Sequence, residues 1–357
     1  LETTTKEIKE IIKKYNFEIK QIKEEKTQKM ILKFKDSKNA LKLNLELSRK
    51  NYKLNEKPIE SESKNSSIES HRFKSLESAL PIINLDDYCM SKKDDKLILL
   101  GKGLYASTYL VHAKGDEKKI FAAKIFQNSL VDDKMINSLK REIIMASKIN
   151  HPAILKYLGF NEHSLKENYQ KIKSKNIYPT LLMEYIPNGN LENVIKKKPE
   201  GWNNTAKLKA IIGLSSALAK MFLLEIVHRD MKPENILMND NFEPIICDFG
   251  CSRQYFANTH NRMTDHIGTP IYMAPELFNN DFLPEYSYEV DSYSFGIIVY
   301  QILTDTPIIN IYPHGTNQIN IFDYKLNNYV PVLPDDMNQL FVSLIKSCWN
   351  VSCNSRP

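Results

Sequence analysis

Cysteine is scarce in this chain, and the few present form no pattern that favours crosslinks or a metal site. Five of the 357 residues are cysteine, at positions 89, 247, 251, 348 and 353. A small, odd and scattered set argues against the disulfide framework of a secreted protein and indicates a reducing compartment. Cys348 and Cys353 lack the paired cysteines or histidines that a tetrahedral zinc site needs. We therefore expect an intracellular, cytoplasmic protein with ordinary thiols.

Long apolar runs are also missing. The most apolar stretch, residues 211–227, is interrupted by Lys220 and Glu225. A bilayer-spanning helix needs about 20 consecutive apolar residues. The sequence therefore predicts no membrane anchor and no membrane partner.

The charge is unevenly distributed along the chain. Hydrophobic residues make up 42% and charged residues 26%, values typical of globular proteins, and the length suggests about two domains. The first 74 residues carry 19 basic and 12 acidic side chains, a surplus of seven, whereas the rest carry 30 and 31. This asymmetry predicts two parts that have different partners.

The basic N-terminal part shows a regular order of predicted elements. The pattern predicts a helix at 5–15, strands at 17–22 and 30–34, a helix at 40–47 and a short strand at 52–59. Residues 60–94 are predicted to be a linker, because Ser, Glu, Lys and Asn dominate up to about residue 76.

The element order of residues 1–59 resembles a small α/β RNA-recognition-motif domain that lacks its first strand. In that family, aromatic rings on the third strand stack on bases. If Phe34 is the last aromatic of that strand, the two stacking positions are Lys29 and Ile31, which have no ring. The alternative is a lysine-rich helical arm with a solvated face. RNA or an acidic partner remains the predicted ligand of residues 1–74.

Two glycines between strand-like runs give the first chemical signal. Residues 97–100 lead into Gly101 and Gly103, and a second run follows at 108–111. Glycines in such a loop let the backbone approach a phosphate closely, although a plain hairpin turn is the more common reason for such a pair taken alone.

A lysine lies within the apolar strand predicted at 120–126. Lys124 follows Ala122 and Ala123, and such a cation is costly to bury unless it meets anions. Its expected partners are nucleotide phosphates and Glu142, which lies in a helix predicted at 139–149. For either residue alone, a surface ion pair is the simpler interpretation.

Three ordered motifs then favour one family. His-Arg-Asp-Met-Lys-Pro-Glu-Asn at 228–235 is followed by Asp-Phe-Gly at 248–250 and Ala-Pro-Glu at 274–276. From about residue 95 onward, the chain resembles the eukaryotic protein kinases. The resemblance implies an α+β, two-lobed kinase fold, with a β-rich small lobe at about 95–183, a hinge at 184–189 and a helical large lobe at 190–357.

The resemblance also implies catalytic roles. Asp230 would accept or orient the proton of the acceptor hydroxyl, and Lys232 would place a positive charge at the transferred phosphate. Lys232 with Pro233 and Glu234 is similar to the serine/threonine class. Asn235 and Asp248 would supply oxygen ligands to Mg²⁺, with Mn²⁺ as an alternative.

Lys124, oriented by Glu142, would hold the phosphates of ATP. The backbone of the hinge would bond the adenine edge through Glu184 and Ile186, and Met183 would lie at the back of the pocket. The residues assigned to ATP binding on this basis are Leu100, Gly101, Gly103, Thr108, Ala122, Lys124, Glu142, Met183, Glu184, Ile186 and Leu237.

Regulation is implied by the same resemblance. Arg229 would pair with a phosphorylated residue of the loop 248–276, for which Ser252, Thr259 and Thr264 are the candidates. Thr269 would instead brace Asp230 and Lys232, and a simple surface turn is the alternative.

Three further matches are structural. The resemblance implies a buried ion pair between Glu276 and Arg356, and bonds from Asp291 to the catalytic-loop backbone. Cys348 and Trp349, followed by Arg356 and Pro357, resemble the end motif of the tyrosine-kinase-like group, whose last helix would follow Pro357.

The sequence therefore predicts a kinase that transfers the γ-phosphate of MgATP to Ser or Thr hydroxyls of proteins in signalling. Ala106 replaces the third loop glycine, but Lys124, Asp230, Asn235 and Asp248 are all present. The alternative is a catalytically silent scaffold, tethered to RNA or an acidic partner by the N-terminal part.

Overall fold

The computed structural model describes most of the predicted kinase region. The described residues are 79–103, 106–126, 133–163, 165, 179–254, 269–278, 288–307, 324–325 and 331–357. The module predicted at 1–59, the RNA or acidic-partner site within 1–74, and the candidates Thr259 and Thr264 lie outside these residues.

An antiparallel sheet of six strands forms the small lobe. Its strands are β1 (Tyr88–Met90), β4 (Leu99–Lys102), β5 (Ala106–Ala113), β6 (Asp116–Phe126), β7 (Tyr157–Asn161) and β8 (Thr180–Glu184). The order is β1-β5-β6-β8-β7, and β4 pairs with the same strand, β5, as β1 does. A small hairpin of β2 (Lys92–Lys93) and β3 (Lys96–Leu97) connects β1 to β4.

The strand carrying Lys124 is longer than its apolar pattern predicts. β6 begins at Asp116, directly after Gly115, which turns the chain at a φ of +84°. Its first four residues, 116–119, are polar and exposed, so backbone pairing with β5 rather than burial extends it beyond the predicted start at residue 120. The side chains of β6 then alternate between two faces of the sheet.

Helix α1 (Asp133–Ser147) covers one of these faces. Leu139 and Ile143 pack against Phe126 of β6 and Leu181 of β8. Helix α1 is the helix predicted at 139–149, and it begins earlier than predicted. Its position brings Glu142 opposite Lys124.

A segment preceding residue 95, called the strap and comprising residues 80–90, covers the opposite face. At one edge of the sheet, Ile83 N donates to Phe160 O (2.9 Å) and Phe160 N donates to Pro81 O (3.0 Å). At the other edge, β1 pairs with β5. Between the edges, Ile83 and Met90 are buried against the apolar residues Val111, Ala123, Ile125 and Leu182. The linker predicted for 60–94 therefore does not hold for residues 80–90, whose apolar side chains complete the core of the small lobe.

Helices dominate the large lobe. They are α2 (Leu191–Lys197), α3 (Asn204–Leu223), α4 (Glu289–Thr304) and α5 (Gln339–Cys348). Helix α4 is buried on nearly all sides, as the apolar run at 295–300 requires, and it forms the centre of the lobe with α3 and α5. Helix α3 ends at Leu223, within the apolar stretch 211–227. None of the helices in the described ranges has the length and apolarity that a membrane crossing requires.

The ion pair expected in the large lobe is present. The guanidinium of Arg356 meets both carboxylate oxygens of Glu276, with Nη1–Oε1 and Nη2–Oε2 distances of 2.6 and 2.8 Å. The Arg356 side chain is fully buried. The pair links the residues that follow α5 to the segment around Glu276.

Candidate active site

The catalytic loop follows the short strand β9 (Ile226–Val227) and is fixed through its backbone. Asp291, buried near the start of α4, accepts hydrogen bonds from the amides of His228 (2.6 Å) and Arg229 (2.9 Å). Arg229 has a φ of +73°, a left-handed conformation that an arginine adopts only at a cost. The two bonds from Asp291 hold the loop in this conformation, so that the next residue, Asp230, faces the cleft.

The carboxylate of Asp230 lies at the centre of a hydrogen-bond network. Oδ2 accepts from Lys232 Nζ (2.8 Å) and from Asn235 Nδ2 (3.0 Å). Oδ1 accepts from the amide (3.1 Å) and the hydroxyl (3.2 Å) of Thr269, and this hydroxyl also accepts from Lys232 Nζ (2.9 Å). Burial lowers and the Asp230 carboxylate raises the pKa of Lys232, with a net increase that keeps the ammonium charged. Thr269 thus contacts both Asp230 and Lys232 and does not lie in a simple surface turn.

Two oxygen donors for a cation lie on either side of this network. The amide nitrogen of Asn235 donates to Asp230, so the amide oxygen is the atom that would accept a cation. The carboxylate of Asp248 is about half exposed, and the ammonium of Lys124 lowers its pKa by more than partial desolvation raises it. In the described part of the chain, no group of three His, Cys, Asp or Glu side chains forms a complete metal site. The pair fits Mg²⁺, which binds few protein ligands and takes further oxygens from phosphates.

The lysine of β6 is held between two carboxylates. Lys124 Nζ donates to both oxygens of Glu142 at 2.9 Å and lies 3.6 Å from Asp248 Oδ1. Burial opposes the charged form, but these two carboxylates raise the pKa of Lys124 above its ordinary value. For Glu142, burial raises the pKa, and the ammonium of Lys124 counteracts it. We regard Glu142 as ionised, because the ammonium contacts both oxygens.

The segment after Asp248 docks directly on α1. Asp248 has a left-handed backbone with a φ of +63°, and Phe249 is buried with its ring 5.0 Å from that of His228. The carbonyl of Gly250 accepts from Ser138 Oγ and from Arg141 Nη1, both at 3.2 Å. These contacts hold α1, Lys124 and Asp248 together in one arrangement.

The predicted adenine pocket is lined by apolar residues of both lobes. Ala122 and Met183 are buried in a cluster with Leu155 and Ile245, and Ile186 and Leu237 pack against it. Thr108 is partly buried on β5, and Leu100 is 40% exposed at the mouth of the cleft. Beyond the hinge, Met238 N donates to Gly189 O (2.8 Å), which links the hinge to β10 (Ile236–Met238).

The glycine loop is open to a ligand. A side chain at Gly101 would meet nothing within 4 Å, and Gly103 N donates to Ala106 O (2.8 Å), which closes the turn. Ala106 therefore continues the hairpin through its backbone, and its methyl group does not prevent the turn. The backbone at Gly101 is therefore accessible, as the close approach of a phosphate would require.

The regulatory candidates are less well supported. Ser252 is completely buried and its hydroxyl lies 3.4 Å from the carbonyl oxygen of His228. A modifying enzyme cannot reach this hydroxyl in the present conformation, which argues against Ser252 as a phosphorylation site. Arg229, within the catalytic loop, is buried.

Some residues of the site carry no signal in the sequence. Tyr157 donates its hydroxyl to Glu142 Oε1 at 2.9 Å. Lys325 is buried, and its ammonium contacts the carbonyls of Pro270, Ile271 and Met273, directly after Thr269. Neither position belongs to a recognised motif, because each acts through contacts between residues far apart in the sequence.

Comparisons with known proteins agree with this geometry. A family model described as a protein kinase domain matches residues 95–357. A putative serine/threonine-protein kinase/receptor of Acanthamoeba polyphaga mimivirus is 28% identical over 280 residues, which cover 77% of this chain and 15% of that protein. The RGS domain-containing serine/threonine-protein kinase A of Dictyostelium discoideum is 31% identical over 222 residues, which cover 62% of this chain and 18% of that protein.

The chain thus spans less than a fifth of the length of these two relatives. The similarity nevertheless includes the catalytic loop, the segment that begins with Asp248 and the strand that carries Lys124, because the family match extends across all three. Together with the arrangement of these residues around one cleft, the match identifies the family: the chain belongs to the protein kinase domain family.

Proposed function

We propose that this chain is an ATP-dependent serine/threonine protein kinase. One observation supports the proposal most strongly: the Asp230–Lys232–Thr269 network and the Lys124–Glu142–Asp248 network meet at the same cleft. The first network suits the acceptor hydroxyl and the second suits the phosphates of the donor. A scaffold that had lost catalysis would have no need of both.

Asp230 orients the acceptor hydroxyl. Four hydrogen bonds fix its carboxylate, which is 11% exposed and therefore still accessible from the cleft. A fixed acceptor can align the hydroxyl with the transferred phosphate and take its proton. Lys232, bonded to the same carboxylate, supplies positive charge where the phosphate oxygens become more negative.

Lys124 binds the phosphates of ATP. Its ammonium is charged and is held in place by Glu142, so it meets the phosphates without a large reorganisation. Asn235 and Asp248 hold Mg²⁺, which neutralises phosphate charge when it is bound. The apolar pocket around Ala122 and Met183 excludes water from the adenine ring.

The acceptor class is inferred from the residues beside Asp230. Lys232 followed by Pro233 and Glu234 is similar to serine/threonine kinases, and both relatives named above carry that description. Trp349, Arg356 and Pro357 suggest the tyrosine-kinase-like group, most of whose members act on Ser or Thr. We further propose that phosphorylation of Thr259 or Thr264 activates the enzyme through Arg229.

Transfer of labelled γ-phosphate to a generic protein substrate, followed by phosphoamino acid identification, tests this function. We expect phosphoserine and phosphothreonine from the wild type and a signal at background level from Lys124→Met. Phosphotyrosine as the main product would contradict the acceptor class. Equal background signals from both proteins would contradict the activity itself.

A further inference from the structure

Tyr157, the first residue of β7, lies where three apolar clusters meet. Its ring packs against a large-lobe cluster that includes Phe249, against the α1 cluster that includes Ile143, and against the cleft cluster that includes Met183. The β7–β8 pairing places it directly opposite Met183. The ring is therefore held from several sides, which fixes the direction of its hydroxyl.

The Tyr157 hydroxyl donates to Oε1 of Glu142 at 2.9 Å. The same oxygen accepts from Lys124 Nζ at 2.9 Å, and the second carboxylate oxygen accepts from that ammonium as well. Glu142 is thus bonded from two strands, β6 and β7, and is only 3% exposed. The hydroxyl acts on a buried carboxylate that water reaches poorly, so its hydrogen bond is worth more than one at the surface.

The charged and titratable groups that face Glu142 explain why a second donor is useful. Lys124 attracts the carboxylate, whereas burial and Asp248 disfavour its charged form. The hydrogen bond from Tyr157 adds to the effect of Lys124 and lowers the pKa of Glu142. It also restricts rotation of the carboxylate, because a second donor fixes Oε1.

We propose that Tyr157 is a positioning residue: its hydroxyl holds Glu142 in the orientation that presents Lys124 to the phosphates and keeps α1 against the sheet. Tyr157 touches no substrate and acts through Glu142. This inference rests on the proposed kinase activity. The alternative is that Tyr157 only fills the junction of the clusters, a role for which a phenylalanine would be equally suitable.

The decisive variant is Tyr157→Phe, which keeps the ring and removes the hydroxyl. Loss of one hydrogen bond to a buried ionised group lowers kcat/KM for ATP by about tenfold. The KM for the protein substrate stays within about twofold, because the acceptor network around Asp230 is untouched. In a Glu142→Ala background, Tyr157→Phe lowers kcat/KM for ATP by less than about twofold.

A matched control is Tyr300→Phe. The Tyr300 side chain is also buried, and its hydroxyl lies 3.3 Å from Val332 O in the large lobe, remote from the cleft. This variant is expected to retain kcat/KM within about twofold of the wild type. Wild-type kinetics for Tyr157→Phe, or the same loss with and without Glu142, would overturn the proposal.

A nucleotide-free measurement separates this proposal from the proposed function. Hydrogen exchange of the α1 amides at 139–147, read by mass spectrometry, is expected to be about tenfold faster in Tyr157→Phe than in the wild type. Faster exchange supports the positioning role even if the wild type transfers no phosphate. Unchanged exchange in α1 contradicts it, whatever the activity.

Discussion

At the scale of single residues, a buried charge in this molecule is stabilised by several partners that replace its hydration. Arg356 donates to Glu276 and also to the carbonyls of Asn350 (2.7 Å), Glu289 (3.2 Å) and Val351 (3.3 Å). Its guanidinium also lies 5.0 Å from the ring centre of Tyr293. A fully buried guanidinium loses its hydration, and these partners replace it. The pair therefore depends on both members.

Replacement of Arg356 by Met should lower the free energy of unfolding by about 3–5 kcal/mol, because it leaves the partly buried Glu276 carboxylate without its partner. Urea unfolding followed by fluorescence measures this loss. Lys196→Met is the matched control, since Lys196 pairs with Glu192 at an exposed i,i+4 position worth about 0.5 kcal/mol or less. Losses of equal size in the two variants would show that burial does not determine the contribution.

Contacts between motif residues were the part of the site that the sequence predicted best. The meeting of Lys124 with Glu142, and the brace from Thr269 to Asp230, were both expected, and both are observed as contacts. Motif residues are predictable because phosphate transfer requires specific charges at fixed places. Tyr157 was missed because its hydroxyl meets Glu142 only after β7 and α1 have packed together.

At the scale of elements, the strap determines how the small lobe is closed. Gly159 of β7 allows the strap to approach, since an added Cβ would lie 2.2 Å from Ile83 Cγ2 and 2.8 Å from Pro81 O. Real Cβ atoms do not approach other heavy atoms this closely. The strap and β7 therefore fit together only with glycine at this position.

Gly159→Ala is predicted to destabilise the chain by about 1–3 kcal/mol, because the strap must shift to accommodate the methyl group. The measurement is the free energy of unfolding in urea. In an Ile83→Ala background the penalty should be smaller, since the nearest clashing atom is gone. A cost below about 0.5 kcal/mol in the wild-type background would contradict the close contact.

His151, between α1 and β7, links the small lobe to α3. Its Nε2 lies 3.0 Å from Ser216 Oγ, and its Nδ1 accepts from the amide of Ala153 (3.2 Å). Burial, with a smaller contribution from Lys220, lowers its pKa from 6.5 to about 4. The folded protein therefore contains the neutral imidazole at neutral pH.

The pH dependence follows from this shift. Because the folded pKa is below the unfolded value, stability from neutral His151 is complete above pH 6.5 and is lost as pH falls towards 4. At about 1.4 kcal/mol per unit, its contribution is about 2 kcal/mol smaller at pH 5 than at pH 7. His151→Asn should show a correspondingly smaller change in unfolding free energy between these pH values. Identical pH profiles would contradict the shift.

Elements with a regular apolar pattern were predictable, and those defined by tertiary contacts were not. The strand predicted at 120–126 and the helix predicted at 139–149 correspond to β6 and α1. No strand was predicted within the strap, because β1 has only three residues and the buried residues Leu80, Ile83 and Met90 have no regular spacing. Leu80 packs in the α1 cluster, and Ile83 and Met90 pack on the opposite face of the sheet; only these tertiary contacts make them part of the core.

At the scale of the whole molecule, α1 connects both lobes to the catalytic residues. Glu142 bonds the small lobe through Lys124, while Ser138 and Arg141 bond the carbonyl of Gly250 in the large lobe. Lys148, just after the helix, reaches Gln254 at 2.7 Å. A movement of α1 away from the sheet would therefore disturb Lys124 and the segment after Asp248 together.

The net charge also differs between the two parts of the chain. The near-neutral residues from 75 onward contain the region that the kinase family model matches, and the basic surplus lies in the first 74 residues. The matched region therefore shows no large overall surplus of positive charge. Two of its ion pairs, Lys124–Glu142 and Lys232–Asp230, lie at the cleft.

The central claim is that Asp230 directs phosphate transfer in a cleft that binds ATP without its help. The most direct measurement compares kcat for γ-phosphate transfer, and the affinity for a fluorescent ATP analogue, between the wild type and Asp230→Asn. The account predicts that kcat falls by about 10²–10⁴-fold, while the dissociation constant of the analogue stays within about threefold. Equal kcat values for the two proteins, or wild-type transfer at background level, would contradict it.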